Sequence, residues 1–455
     1  MECRPYGVYA VYDVKRWWLF LLLPSARVAV TALFGVTAPL LWWELLPAAL
    51  LISYSVAKWY TCRYRLTASA GDRFHTVAVR QGLLTRHTLH ISAEDAASVE
   101  VERTPLLWLL GGRRIRISTA GLRRRADAVL YLPAHSARRL FSLNERGAHR
   151  TRARVWPVAV MALSGSNAAV GLLTAAPLLR HAGQLLGQQF PQDVVSAVEQ
   201  ALFAGLPPLL RTAANLLVVG WALSALNMFL RYVGFYAQCE GEHLHLVSGL
   251  FTRRDVLIDR GKITALELRQ TLGMRLLDLH TAVITAAGYG RDVGARPVLV
   301  PAARPRELCA CLNALLPDFP VQVPRLRTAS RFRYVWAPLT CLLSGMAVAT
   351  RGGWWQWAAA LWILAAAWWL LVRILASAHA GFGMSDSTVA LCYPRGLALV
   401  RVFLPREVTD CLTVTQTPFQ RRRGVCTVQV RCFGEKRRRH RVWGVPYAAV
   451  NALLT

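Results

Sequence analysis

Two kinds of hydrophobic pattern alternate along the chain. Residues 17–57 hold only two charged side chains, Arg27 and Glu44, over about twice the ~20 residues that one helical membrane crossing needs. Similar pairs of apolar runs occur at 155–179 with 209–230 and at 334–350 with 354–375. The pattern therefore predicts three transmembrane hairpins.

The segments between the hairpins show the other pattern, in which apolar and polar residues alternate over short stretches as in half-buried strands. Each segment contains a glycine turn followed by Leu, at Gly82, Gly249 and Gly396, where glycine permits a positive φ. Further along, a short apolar strand ends in proline and precedes a helical stretch. We expect each segment to form several short strands closed by one helix.

The three soluble segments align without gaps on Thr104, Thr271 and Thr417, which indicates an internal repeat. They read ERTPLLWLLGGRRIRISTAG, RQTLGMRLLDLHTAVITAAG and TQTPFQRRRGVCTVQVRCFG. One aligned column holds Gly111, Asp278 and Gly424, and another holds Gly121, Gly288 and Gly434. The alternation before the last glycine predicts that the three segments are equivalent strands.

With its hairpins, its G-L-hydrophobic turns, the T-A-G turn and a final helix, the chain resembles the bacterial PH-like (membrane-flanked) domain family in the three-repeat YdbT-type arrangement. The resemblance implies a mixed membrane protein, in which three α-helical transmembrane hairpins alternate with three small PH-like β-barrel domains, each closed by a C-terminal helix. It brings no established catalytic residues. The expected segments are 1–58 with the first hairpin, the domain 59–154, the hairpin 155–230, the domain 231–333, the hairpin 334–375 and the domain 376–455.

Charge predicts the orientation of the chain and its partners. The chain has 54 Lys and Arg against 25 Asp and Glu, a formal net charge of +29, and 45 of the basic residues fall in the soluble segments. By the positive-inside rule, we expect a multi-pass inner (cell) membrane protein with both termini and all three PH-like domains in the cytoplasm. Basic charge interleaved with apolar runs favours anionic membrane lipids over nucleic acid. A smaller membrane protein of the same family is the other expected partner.

The densest positive charge lies in the third soluble segment. A basic side chain near an anionic bilayer contributes about 1 kcal/mol, so we expect contacts with lipid headgroups or a partner there. The candidate residues are Arg421, Arg422, Arg423, Lys436, Arg437, Arg438 and Arg439. Arg275 is added because it aligns with Arg421, whereas the first repeat has Trp108 in that column. The alternative interpretation is a solvated face that only sets the topology.

The sequence contains no recognisable nucleophile, base or metal set. Its ten Cys show no C-x-x-C pair, and His243 and His245 lack a third ligand nearby in sequence. We therefore expect no enzyme, no cofactor and no metal. The leading interpretation is a non-catalytic integral membrane scaffold whose cytoplasmic PH-like domains bind a partner protein or anionic lipid. The alternative is a component of an export or envelope-defence (antimicrobial resistance) system with a path between the spans.

Overall fold

The computed structural model describes most of the chain. The described residues are 4–7, 42–68, 74–82, 87–119, 128–141, 149–166, 208–286, 297–317, 319, 321, 326–353, 355–432 and 438–454.

The described elements are numbered here in chain order. The first half contains α1 (Trp42–Thr61), β1 (Arg63–Ala68), β2 (Phe74–Gln81), β3 (His87–Ser92), β4 (Ala96–Arg103), α2 (Pro105–Leu109), β5 (Gly112–Thr119), β6 (Ala128–Pro133), α3 (Ala134–Phe141), β7 (His149–Arg152), α4 (Val155–Gly165), α5 (Pro208–Tyr232), β8 (Tyr236–Glu240), β9 (His243–Ser248) and β10 (Arg253–Asp259). The second half contains β11 (Ile263–Thr271), α6 (Leu272–Leu276), β12 (His280–Ala286), β13 (Val298–Ala303), α7 (Pro305–Leu315), β14 (Leu326–Arg327), α8 (Phe332–Ala349), α9 (Trp355–Ser377), β15 (Gly381–Met384), β16 (Thr388–Arg395), β17 (Ala398–Pro405), β18 (Thr409–Thr415), α10 (Pro418–Arg422), β19 (Val425–Cys432), β20 (Arg438–Pro446) and α11 (Tyr447–Leu454).

The chain divides into two compact units, and the first comprises Met1–Gly147 with Phe251–Asp259. Here β1, β2 and β3 form one antiparallel sheet. The strands β6, β5 and β4 form a second sheet, which continues into β10. Alternate residues of both sheets, such as Val77 and Ile115, are buried in a common core. The period of two along each strand therefore places one face of each sheet inside the unit.

The second unit comprises Ala148–Leu250 and Arg260–Thr455. The strands β7, β8 and β9 pair in order. A larger sheet has the order β13-β12-β11-β17-β16-β15-β14, and the sheet β18-β19-β20 is separate from it. Phe382 and Val402 of the larger sheet pack with Val428 of the separate sheet in one core. The C-terminal part of the chain therefore has its own buried interior.

Two described helices are long and apolar enough to cross a membrane, over Phe332–Ala349 and Ala359–Ser377. They pack closely, because a Cβ at Gly345 would lie 2.7 Å from Cδ1 of Trp362. The indole N–H of Trp362 also donates to the carbonyl of Cys341 at 2.9 Å. Together α8 and α9 form an apolar helical hairpin.

The prediction of three transmembrane hairpins alternating with three closed β-barrels is wrong. The described strands lie in four sheets, and none of these closes into a barrel. The reason is that β4 and β11 each pair on their second side with a strand of the following segment, β10 and β17. Among the described residues, the apolar helices long enough to cross a membrane are Phe332–Ala349 and Ala359–Ser377, whereas Val155–Gly165 and Leu217–Tyr232 are shorter apolar helices. Most of the first predicted hairpin, including 8–41, lies outside the described residues.

Candidate anionic membrane-contact surface

A five-residue helical turn follows each of the three aligned threonines. The hydroxyl of Thr104 accepts from the N–H of Leu107 at 3.3 Å, and the other two do the same with the third residue of their turn. These segments were predicted to be strands throughout, and that prediction is wrong at their start. The signal that sequence reasoning missed is a capping residue followed by Pro at the first helical position, as in Thr104-Pro105 and Thr417-Pro418.

The turns α2, α6 and α10 also end alike. Gly111, Asp278 and Gly424 have φ values of 68°, 50° and 62°, and each is the second residue after its turn. Among the residues that the structure describes, Asp278 is the one non-glycine residue with a positive φ. Asp tolerates this conformation better than most residues. The predicted column of Gly121, Gly288 and Gly434 lies outside the described residues.

The turns α2 and α6 bury their third residue, and all three turns expose large apolar side chains at other positions. Leu107 and Met274 are buried, whereas Trp108, Leu109, Leu276 and Phe419 are 64%, 79%, 83% and 78% exposed. These side chains occupy different positions within the three turns, but each turn exposes at least one of them, and grouped exposed apolar side chains are typical of an interaction surface.

In the first unit the exposed side chains of α2 lie beside the end of an apolar helix. Leu107 packs against Trp59 in the last turn of α1. The hydroxyl of Tyr6 donates to the carbonyl of Leu110 at 2.9 Å and fixes the end of the turn.

In the second unit α6 contacts two apolar helices. The hydroxyls of Thr271 and Ser164 are 2.7 Å apart, which joins the turn to α4. Arg275 donates from Nη1 to the carbonyl of Leu375 at 3.1 Å, which joins it to the last turns of α9. The exposed Leu276 is therefore held near the end of a candidate span.

The third turn, α10, is placed near the start of α8 by the β19–β20 hairpin. Val425 directly after the turn pairs with Pro446, and three residues before Pro446 the N–H of Trp443 donates to the hydroxyl of Tyr334 at 2.9 Å. Tyr334 lies in the first turn of α8. The end of the hairpin that carries α10 is therefore the end nearest to this candidate span.

The structure separates the two basic clusters that the sequence grouped together. Arg421, Arg422 and Arg423 are exposed in and directly after α10, before the start of β19. The run that begins at Lys436 follows the other end of β19, where Cys432 pairs with Arg438. An eight-residue strand is about 26 Å long at ~3.3 Å per residue. The two clusters therefore lie toward opposite ends of β19.

The remaining candidate residues occupy different environments. Arg438 and Arg439 lie in β20, and Arg439 is exposed. Lys436 and Arg437 lie outside the described residues. Arg275 is half-buried and holds the carbonyl of Leu375, so part of its hydrogen-bonding capacity is already used within the fold. Trp108 occupies the corresponding fourth position of α2.

Positive charge accumulates around Arg275. The Nδ1 atom of His379 lies 3.4 Å from the same Leu375 carbonyl that Arg275 contacts. Burial lowers the pKa of His379, and the charge of Arg275 lowers it further, with smaller contributions from Arg401 and Arg327. In the sheet, Arg327 lies opposite Gly381, Gly381 opposite Cys392, and Cys392 opposite Arg401. Residues directly opposite one another point to the same face of a sheet, so Arg327 and Arg401 share one face. An anion at this end of α9 would meet several cationic side chains.

The first unit contains a different charge cluster, which sequence reasoning did not identify. Arg116 donates to Glu100 at 3.4 Å and to Glu102 at 3.1 Å. Arg254 lies 3.6 Å from Glu102 and 3.8 Å from Glu100. All four side chains are largely buried and neutralise one another, so this cluster is structural rather than a site for a soluble anion. Its residues lie on neighbouring strands that no sequence motif connects.

No three His, Cys, Asp or Glu side chains among the described residues lie close enough to hold a metal ion.

Comparison with known proteins shows the family of the chain. The model for the bacterial PH domain matches residues 18–147 and 195–316, which together are more than half of the chain. The UPF0699 transmembrane protein YdbT of Bacillus subtilis (strain 168) is 20% identical over 302 residues, which are 60% of this chain. The match spans 59% of that relative's own length. No solved structure matches the chain. This membrane-associated chain therefore belongs to the bacterial PH domain family.

Proposed function

We propose that this protein is a non-catalytic membrane scaffold whose PH-like regions bind anionic phospholipid headgroups at the cytoplasmic face of the cell membrane. The observation that carries the proposal is the composition of α10, where the exposed Phe419 precedes three exposed arginines. An aromatic side chain enters the headgroup region readily, while the guanidinium groups pair with phosphates.

The position of α10 supports this reading. The turn is at the end of the β19–β20 hairpin nearest to α8, whose first residues include Arg331, Phe332 and Arg333. Arg333 stacks on the ring of Trp443 at 5.4 Å, and Phe332 and Trp336 are exposed. Basic and aromatic side chains are enriched at the interface of a bilayer. The end of the third soluble segment nearest to α8 thus has the composition expected of a membrane contact.

The cluster that begins at Lys436 is expected to contribute less. It follows the opposite end of β19, and the attraction of an anionic surface decays within a Debye length of about 8 Å at physiological salt. A group displaced by the length of β19 would lie beyond that range. We therefore expect Arg421–Arg423 to contact the membrane and the cluster that begins at Lys436 to lie farther from it.

The test uses the full-length chain in a mild detergent and fluorescent phosphatidylglycerol as the probe. Replacing Arg421, Arg422 and Arg423 together by Gln should weaken phosphatidylglycerol binding by about 10- to 100-fold at low salt, since about 1 kcal/mol is lost for each contact that is fully removed. High salt should weaken binding of the unmodified chain in the same direction.

Two matched variants provide controls. Lys at the same three positions keeps the charge and should keep most of the binding. Gln at Arg437, Arg438 and Arg439 removes an equal charge at the other end of β19 and should leave binding nearly unchanged. If both Gln triples lose binding equally, only the net charge matters, and the proposed surface is wrong.

A further inference from the structure

Corresponding strands of the three soluble segments differ in how many neighbours they pair with: in the first two segments both edges of the strand are paired, and in the third one edge is open. The strands β4, β11 and β18 each end at the aligned threonine or one or two residues before it. β4 pairs with β5 and β10, and β11 pairs with β12 and β17. Within the described part of the chain, β18 pairs with β19 alone.

The burial of these strands follows their pairing. The interior residues of β4 are all buried, and β11 is buried over most of its length. In β18, Asp410, Cys411 and Thr415 are exposed, and the other residues are only half-buried. Leu412 and Val414 still pack against the core, so β18 is an ordered edge strand rather than a frayed end.

The strands that cover the equivalent edges of β4 and β11 indicate which strand would fit the edge of β18. β10 and β17 each follow a glycine turn, at Gly249 and Gly396, and each contributes six antiparallel residue pairs. β3 follows Gly82 in the same order and has six residues. Among the described strands it pairs with β2 alone, and His87, Thr88 and His90 are exposed.

Neither open edge carries the usual protection against pairing. Edge strands are commonly blocked by Lys, by Pro or by inward-pointing charges. The sequences of β3, HTLHIS, and β18, TDCLTVT, contain no Lys, Arg or Pro. Asp410 is the one acidic residue in the two strands, and it would meet no second carboxylate on β3.

We infer that this chain associates head to tail with a second copy of itself, by adding β3 of one copy to the open edge of β18 of another. The contact repeats between chains the pairing that β10 and β17 make within one chain. Because the two surfaces differ, the contact is heterologous and leaves one β3 and one β18 free at the ends of every open assembly. The inference is independent of lipid binding by α10.

The test compares two blocked variants of the full-length chain in detergent by mass photometry over a range of concentrations. Lys at Thr413 and Thr415 blocks the β18 edge, and Lys at Thr88 and His90 blocks the β3 edge. The unmodified chain should form dimers and larger species. Each variant alone should be monomeric at concentrations at least tenfold above those that assemble the unmodified chain.

Mixing provides the decisive observation, because each variant keeps one intact edge. An equimolar mixture should form a dimer containing one chain of each kind and nothing larger. Ser at Thr413 and Thr415 serves as the conservative control and should assemble like the unmodified chain, and near-ultraviolet circular dichroism verifies that every variant is folded. A monomeric unmodified chain, variants that still assemble alone, or a mixture without the mixed dimer would each overturn the inference. A monomeric unmodified chain would also leave a different PH-family chain as the occupant of β18.

Discussion

The hydroxyl of Tyr334 in α8 accepts a hydrogen bond from the backbone N–H of Trp443 in β20 at 2.9 Å. The two rings are also in contact, with centroids 5.0 Å apart. This pair, separated by 109 residues in sequence, joins the start of a candidate membrane span to the third soluble segment. It is therefore a fixed connection between the membrane hairpin and the surface proposed to bind lipid.

Removing this hydroxyl should destabilise the second unit. Tyr334 is buried, so Tyr334→Phe leaves the Trp443 N–H without its acceptor, which should lower the free energy of unfolding by about 1–3 kcal/mol. Denaturant unfolding in detergent, monitored by tryptophan fluorescence, measures the loss. Tyr447→Phe removes a hydroxyl from an exposed ring and should change stability by less than about 0.5 kcal/mol. Equal effects of the two substitutions would contradict this account of the contact.

Two glycines of the third segment should respond very differently to alanine. Gly424 and Gly444 both have positive φ, 62° and 75°, so a side chain at either adds about 1–2 kcal/mol of backbone strain. A Cβ at Gly424 meets open space, whereas one at Gly444 would clash with the carbonyl of Ser330. The Gly444 carbonyl also accepts from the N–H of Ala329 at 2.7 Å. Gly444→Ala should therefore lower the thermal unfolding temperature well beyond Gly424→Ala, and similar shifts would show that the clash is relieved.

The buried ion cluster of the first unit should be intolerant of losing one partner. Arg116→Met leaves Glu100 and Glu102 with less compensating charge in a buried site and should lower stability by about 3–5 kcal/mol. Arg154 and Glu307 are 3.0 Å apart but largely exposed, so Arg154→Met should lower stability by no more than about 1 kcal/mol. Denaturant titration of both variants measures the difference, and a mild effect of Arg116→Met would mean that water reaches the carboxylates.

Acid should destabilise the second unit through His280. Burial lowers the pKa of His280 and Arg401 lowers it further, while Asp278 partly opposes them. The unfolded chain, with an imidazole pKa near 6.5, therefore binds more protons than the folded chain as pH falls through that value. The contribution of His280 is complete above about pH 6.5 and declines toward its lower folded pKa. His280→Gln should flatten the decline in unfolding temperature between about pH 7 and 5, and an unchanged slope would assign it to other groups.

Hydropathy and the strand repeat anticipated much of the local structure. The alternation around Val283 predicted β12, and the apolar runs near 340 and 365 predicted α8 and α9. The aligned threonines occupy one local position, although each caps a helical turn where a strand was expected. The capping contact involves only three residues, which a search for period-two alternation does not detect.

Closure of the sheets could not be read from the sequence. A strand such as β11 has the same alternating pattern whether its second edge meets its own segment or β17 of the next one, because pairing is made by backbone groups. The same limit applies to the charges. Arg421 and Arg438 are only 17 positions apart, and their placement toward opposite ends of β19 depends on the pairing of Cys432 with Arg438.

Photo-crosslinking at Phe419 tests the central proposal of a lipid-contacting surface most directly. Benzoylphenylalanine is placed at Phe419, at Leu397 or at Asp386 of the full-length chain, and native membranes are irradiated before mass spectrometry. Asp386 precedes β16 and Leu397 follows it. The Leu397 end lies beside α9, because Arg373 of α9 donates to the carbonyl of Pro394 at 3.1 Å. The account predicts phospholipid adducts at Phe419 and Leu397 and none at Asp386. No adduct at Phe419, or equal adducts at Asp386, would contradict it.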